Sequence, residues 1–147
     1  METTLIFHAG LDLPHFTSFV LLDDEEGVRA LREYFLPYVE IAPEAGVGIV
    51  LDTPTWRANA DWGERLGYST EELADVNRRG IRLLERLREE TGDGPQIVIS
   101  AASATGIVRA ARAAGIPAVV SFTVETVGGC CGTDHRHIGE ICRVWAA

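Results

Sequence analysis

The stretch Gly46-Val47-Gly48-Ile49-Val50-Leu51-Asp52-Thr53-Pro54 decides the fold of this 147-residue chain. Its apolar part predicts a buried strand, which ends at the turn-forming Asp52–Pro54 segment. A second short apolar run, Gln96–Ser100, predicts another buried strand. An amphipathic segment from Ser69 to about Glu90 separates the two strands. Short strands that alternate with helical segments indicate βαβ units and a parallel sheet.

Outward from these strands the alternation continues. Ser69 with Glu72 three residues later is a capping-box signature, so the segment between the strands should open there as a helix. A helix is predicted over about Glu25–Ile41, capped by Asp23 or Asp24 and kinked or divided at Pro37. The other predicted elements are a strand at Leu5–His8, a long loop or broken helix at Trp56–Tyr68, a helix at Ala102–Ala114, a strand at Ala118–Val124 and a last helix from Asp134 to about Trp145. We therefore expect one α/β domain over residues 1–147, with ligands at the carboxyl ends of its strands.

The composition argues against nucleic acid and membrane as binding partners. The chain has 13 basic and 22 acidic residues and a formal net charge of −9, which argues against a nucleic-acid partner. No apolar run approaches the roughly 20 residues of a membrane span, and the N-terminus lacks the pattern of a signal peptide. Three cysteines, two of them adjacent, make a poor disulfide framework. We expect a cytoplasmic protein without a membrane partner.

The clearest chemical motif is the turn Gly128-Gly129-Cys130-Cys131-Gly132-Thr133. It lies where an apolar strand should end and a helix begin, and the helix start lowers the pKa of nearby thiols. Thiolates are ligands that Zn²⁺ prefers, although two of them alone do not complete a site. Two other interpretations stay open on chemistry alone: a pair of buried, unreactive cysteines, or a glycine-rich turn that binds an anion.

This turn, followed by Asp134-His135-Arg136-His137-Ile138, resembles the last strand, turn and helix of the zinc-dependent homocysteine S-methyltransferases. The similarity covers nearly the whole chain in collinear blocks. Met1–Leu5 is similar to the opening motif of the family on its first strand, and Gly46–Trp56 to its second strand and Thr-rich loop. Ile107–Glu125 resembles the helix and strand that end in Ser-Phe-Thr. The resemblance implies a (β/α)₈ barrel that uses zinc to transfer a methyl group.

By this resemblance Cys130 and Cys131 would be zinc ligands, and the bound zinc would ionise homocysteine so that it accepts a methyl group to give methionine. The donor could be a sulfonium, a quaternary ammonium or a folate. Thr53 and Ser121 would border the pocket, and Glu125 would contact the ammonium group of the amino acid. The small-molecule partners are therefore homocysteine and a methyl donor, and the cofactor is Zn²⁺.

The chain also departs from the family. The family's Asp-Gly-Gly before the opening methionine is absent, the middle is shortened, and Thr126 leads directly into Val127, where the family has further strands and a third zinc-binding cysteine. His135 and His137 are the nearest substitute donors, with helix-surface or capping roles as the alternative, while Cys142 lies within the predicted last helix. A full barrel needs about 250 residues, so we expect a truncated or partial barrel that a second copy could complete. The alternative function is a non-catalytic family fragment or a small zinc- or thiol-binding module.

Overall fold

The computed structural model describes residues 1–92, 96–100 and 135–136. In these ranges the helices are α1 (Glu2–Phe7), α2 (Glu25–Ala45), α3 (Ala60–Leu66) and α4 (Thr70–Thr91), and the strands are β1 (Ile49–Asp52) and β2 (Ile97–Ser100). Two short 3₁₀ segments, Pro14–Phe16 and Ser18–Leu22, connect α1 to α2, and His135 and Arg136 are helical. The elements predicted at Ala102–Ala114 and Ala118–Val124 lie outside the described residues.

Strands β1 and β2 form a parallel pair, in register from Ile49 opposite Ile97 to Asp52 opposite Ser100. The pairing continues one residue further, where the backbone N–H of Thr53 donates to the carbonyl oxygen of Ser100 at 2.8 Å. Helices α3 and α4 make the connection between the strands. The prediction of a βαβ unit with parallel strands is therefore confirmed.

The two faces of this sheet differ in how deeply their side chains are buried. Ile49, Leu51, Ile97 and Ile99 pack into one hydrophobic cluster with residues of α2 and α4. On the opposite face the side chains of Val50 and Val98, which are register partners, are 48% and 50% exposed. The prediction of buried strands is thus wrong for this face of β1 and β2, because α2 and α4 both pack against the opposite face.

Helix α4 begins with the predicted capping box. The Ser69 hydroxyl accepts the backbone N–H of Glu72 at 3.2 Å, and the Glu72 carboxylate accepts the backbone N–H of Ser69 at 2.7 Å. The buried side of the helix carries Leu73, Val76, Leu83, Leu84 and Leu87 at helical spacing. The capping box and the amphipathic spacing of the apolar residues both indicate a helix that begins after Ser69, which explains why this helix could be predicted from sequence.

The strand predicted at Leu5–His8 is wrong, because these residues belong to α1 and to the turn after it. Backbone N–H groups of Thr4 and Leu5 donate to the carbonyl oxygen of Met1, so the chain coils from its first residue. Leu5 is the buried residue of this helix, whereas Phe7 is 74% exposed. A short apolar run does not distinguish a strand from a helix turn, and here the helix buries its single leucine in the core.

Helix α2 is longer than predicted and is not divided at Pro37. It runs without a break from Glu25 to Ala45, and Asp24 caps it by accepting the backbone N–H of Gly27 at 2.7 Å. Pro37 removes one backbone hydrogen bond, but the helix buries Leu31, Phe35, Val39 and Ala42 along one face. It ends at Gly46, whose φ of 67° is left-handed, so β1 starts three residues later than predicted.

Candidate functional site

The carboxyl ends of β1 and β2 lie side by side, and the loop after β1 is held tightly. The hydroxyl groups of Thr53 and Thr55 are 2.7 Å apart and share a hydrogen bond. The Ser18 hydroxyl is within hydrogen-bond distance of the Pro54 carbonyl oxygen, at 3.1 Å, and of the Glu2 carboxylate, at 2.7 Å. Contacts from the N-terminal segment thus fix the loop at the edge where parallel sheets bind ligands.

Thr53, predicted to border the substrate pocket, is only 2% exposed. Helix α4 comes close to the loop at Gly80, where a Cβ atom would lie 2.9 Å from Cγ2 of Thr55 and 3.6 Å from Cβ of Thr53. The threonine pair is therefore enclosed between the strand end and α4. The hydrogen bond between Thr53 and Thr55 positions the loop, and substrate binding by Thr53 stays a prediction.

The same loop and α3 carry a stack of alternating tryptophan and arginine side chains. The Cζ atom of Arg57 lies 4.6 Å from the ring centroid of Trp56 and 4.2 Å from that of Trp62. Cζ of Arg65 lies 4.8 Å from the same Trp62 ring. We call Trp56, Arg57, Trp62 and Arg65 the Trp–Arg ladder. Each guanidinium is attracted to the electron-rich face of an indole, so the four side chains hold one another in place.

The segment before the second 3₁₀ turn packs on this ladder. The His15 ring lies 5.6 Å from Trp62 between centroids, and Arg57 donates a hydrogen bond from Nη1 to the His15 carbonyl oxygen. His15 and Phe16 both have left-handed backbone conformations, with φ of 55° and 58°. Such conformations are costly for residues with a Cβ and persist only where surrounding contacts hold them.

The sequence predicts a long loop or a broken helix at Trp56–Tyr68, and helix α3 at Ala60–Leu66 lies within it. The ladder was missed. The local signals are that Arg57 follows Trp56 directly and that Trp62 and Arg65 are three residues apart in a helix, which brings their side chains together. The contact of His15 with Trp62 joins segments far apart in sequence, so it depends on the tertiary fold.

His135, one of the two predicted substitute zinc donors, lies against α2. Its ring meets Tyr38 edge-on, with centroids 6.2 Å apart, and it is exposed. Together with α1 and α2 it lines an open cavity of about 480 Å³, whose walls are Thr4, His8, Glu33, Tyr34, Pro37, Tyr38, His135 and Arg136. The cavity therefore brings His8 and His135 to one surface although they are distant in sequence.

Tyr34 in this cavity is a poor acid. Burial raises the pKa of its hydroxyl far above the ordinary range, and a hydrogen bond with Tyr38 raises it further. Tyr34 also stacks edge-on against Phe35, with ring centroids 5.2 Å apart. The phenol is therefore neutral throughout the physiological range and acts as a hydrogen-bonding group.

The remaining predicted site residues, Ser121, Glu125, Cys130 and Cys131, lie outside the described residues, as do His137 and Cys142. Within residues 1–92, 96–100 and 135–136 no group of three or more His, Cys, Asp or Glu side chains is arranged to hold a metal ion. In the same ranges no helix has the length and apolar character needed to cross a membrane.

Comparison of the chain with protein-family models, curated proteins and solved structures found no match. The likeness to homocysteine S-methyltransferases therefore rests on the sequence motifs quoted above.

Proposed function

We propose that this protein is a homocysteine S-methyltransferase-like zinc protein built as a partial (β/α)₈ barrel. The observation that carries the proposal is the Gly-Gly-Cys-Cys-Gly-Thr turn at residues 128–133, in order with the other family-like blocks. Two adjacent thiols at the predicted strand-to-helix turn would be suited to bind zinc, because a helix start favours the ionised form of nearby thiols.

The described part of the fold supports the barrel. A doubly wound sheet has helices on both faces, whereas a (β/α)₈ barrel has them all on the outside. Helices α2 and α4 share one core with the same face of β1 and β2. The other face carries the exposed Val50 and Val98, and branched side chains of this kind fill barrel interiors.

The donor set suits a zinc ion. Cys130 and Cys131 would hold it, with the exposed imidazole of His135 as a further donor. Bound zinc would supply a Lewis acid that keeps a thiol substrate ionised at neutral pH. Glu125 would contact the ammonium group of homocysteine, and Ser121 and the loop held by Thr53 would border the pocket.

A second candidate function is a non-catalytic family fragment or a small zinc- or thiol-binding module. It is favoured by the direct connection from Thr126 to Val127, where the family has the strand with its third cysteine ligand. A second copy of the chain could complete both the barrel and the ligand set, so assembly decides between the two functions.

Zinc analysis of the purified protein tests the proposal, with the Cys130→Ser/Cys131→Ser double variant and a Cys142→Ser control. We expect bound zinc in the wild type and the control and its loss in the double variant. Methionine formation from homocysteine is then measured with sulfonium, ammonium and folate donors. Zinc-dependent turnover supports the enzyme, whereas zinc binding without turnover supports the module. Equal zinc in all three proteins contradicts the enzyme and the zinc-binding module and leaves the non-catalytic fragment.

A further inference from the structure

The two arginines of the Trp–Arg ladder have no acidic partner among the described residues. Elsewhere in these ranges Arg32 pairs with Glu90 at 2.5 Å and Arg79 with Asp75 at 2.9 Å. Arg57 and Arg65 form no such ion pair there, although Asp61 and Glu64 are on the same helix as Arg65. The two guanidinium groups therefore keep hydrogen-bond donors that no carboxylate of the described residues occupies.

An arginine without an ion pair on a helix surface is not by itself a binding site. The second observation is that both arginines contact the same tryptophan ring. Both lie over the Trp62 ring, with Cζ atoms 4.2 Å and 4.8 Å from its centroid, which restricts the positions of the two guanidinium groups and leaves their N–H edges to bind a ligand. Arg57 uses one edge donor on the His15 carbonyl oxygen. A guanidinium carries five N–H donors in a planar fork, so donors remain for a carboxylate.

The third observation is the exposed indole beside these charges. Trp56 is 55% exposed, and Phe16 is 44% exposed. Phe16 belongs to the turn in which His15 and Phe16 have left-handed backbone conformations, called the strained turn below. Large aromatic side chains open to solvent next to fixed donors offer stacking surface for a flat ring. Trp56 and Arg57 of the ladder lie in the loop after β1, which follows the carboxyl edge where parallel sheets bind their ligands, and Trp62 and Arg65 lie in α3.

We infer that the Trp–Arg ladder is a binding site for a small planar anion, whose carboxylates bind Arg57 and Arg65 and whose ring packs on Trp56. A sulfonium or quaternary ammonium group does not suit the Trp62 face, because two guanidinium groups already occupy the ring and repel another cation. If the proposed methyl transfer is correct, this ligand is the methyl donor, and the donor is an anionic molecule with a planar ring. That assignment rests on the proposed function, whereas the binding site does not.

Benzene-1,4-dicarboxylate is the probe for this site, compared with its neutral diamide and with the cation phenyltrimethylammonium. Calorimetry gives the affinity, and the indole N–H signals of Trp56 and Trp62, assigned with phenylalanine variants, give the position. We expect the dianion to bind and to shift both signals, while the diamide and the cation bind at least about tenfold more weakly. Equal affinity for the three probes, or no binding of the dianion at millimolar concentration, overturns the inference.

Arg65→Gln is the test variant, because Arg65 makes no hydrogen bond to the strained turn and its loss should leave the loop folded. We expect the variant to bind the dianion about tenfold more weakly with an unchanged circular dichroism spectrum. Arg86→Gln, on the exposed side of α4, is the matched control and should bind as the wild type does. Unchanged affinity in Arg65→Gln contradicts the site.

These measurements need neither zinc nor homocysteine, so they separate the two proposals. Methyl transfer without binding at the ladder overturns the inference and leaves the proposed function intact. Binding at the ladder without zinc or methyl transfer leaves the site intact and overturns the proposed function.

Discussion

At Gly27 the absence of a side chain allows the 3₁₀ segment Ser18–Leu22 to lie on the first turn of α2. A Cβ atom there would be 2.3 Å from the carbonyl oxygen of Leu21. Alanine is normally the better helix former by about 1 kcal/mol, but here the backbone of the segment would have to move. We expect Gly27→Ala to lower the free energy of unfolding by about 2 kcal/mol, measured by urea denaturation.

The neighbouring Glu26→Ala is the control for Gly27→Ala, because Glu26 is exposed in the same helical turn. It should change the free energy of unfolding by no more than about 0.5 kcal/mol. A Gly27→Ala protein that is as stable as the wild type would show that the segment does not pack closely on α2.

Two tyrosines make stability depend on alkaline pH. Burial raises the pKa of Tyr34 and of Tyr68 above the ordinary value of 10.0, with added effects from hydrogen bonds to Tyr38 and Asp23 respectively. The folded state therefore keeps a proton that the unfolded state loses near pH 10, so this stabilisation is complete below pH 10 and is lost as pH rises further.

We expect the free energy of unfolding to fall above about pH 10 and to fall less steeply in Tyr34→Phe. Denaturation curves of both proteins at neutral and alkaline pH give the free energy of unfolding. The difference between the proteins at neutral pH is the cost of losing the hydrogen bond to Tyr38, and any further change at alkaline pH is the effect of ionisation. Identical slopes for the two proteins above pH 10 would mean that Tyr34 ionises equally easily in both states.

At the scale of single elements, the capping box of α4 gives a prediction for acid pH. The backbone N–H of Ser69 donates to the Glu72 carboxylate, which lowers its pKa below the ordinary 4.5. The folded state thus favours the ionised form, so this stabilisation is present above that pH and is lost as pH falls through the lowered pKa. We expect Glu72→Gln to weaken the pH dependence of unfolding in this range.

Glu71→Gln is the matched control, since Glu71 is in the same first turn and is also exposed. Ser69→Ala removes the other half of the box and should cost about 1 kcal/mol at neutral pH. If Glu71→Gln and Glu72→Gln change the acid dependence equally, the effect belongs to the helix dipole and not to the capping bond.

The elements differ in how far sequence could predict them. The β1–α4–β2 unit was predictable because its signals are local: a capping box, an amphipathic period and short apolar runs next to glycine and proline. α1 was missed because four apolar or aromatic residues fit a strand or a helix turn equally well. The packing of His15 on the Trp–Arg ladder could not be predicted, since the rings of His15 and Trp62 meet only after the chain has folded.

At the scale of the whole molecule, the half-exposed valines of the β1–β2 sheet are the feature that the proposed partial barrel must explain. Val50 and Val98 are about half exposed beside each other on a face opposite α2 and α4. Apolar side chains in a barrel interior are covered by the other strands, and the proposal assigns that cover to a second copy of the chain. The face should then be buried in the assembled protein.

We therefore expect Val98→Asp to convert a dimer into a monomer in sedimentation velocity and to lower the free energy of unfolding by about 2 kcal/mol or more, because a buried carboxylate is costly. Ile81→Asp is the matched control, since Ile81 is 37% exposed on α4, away from this face. The control should remain dimeric and nearly as stable as the wild type. A wild type that stays monomeric at every concentration, with Val98→Asp equally stable, would contradict completion of the barrel by a second copy.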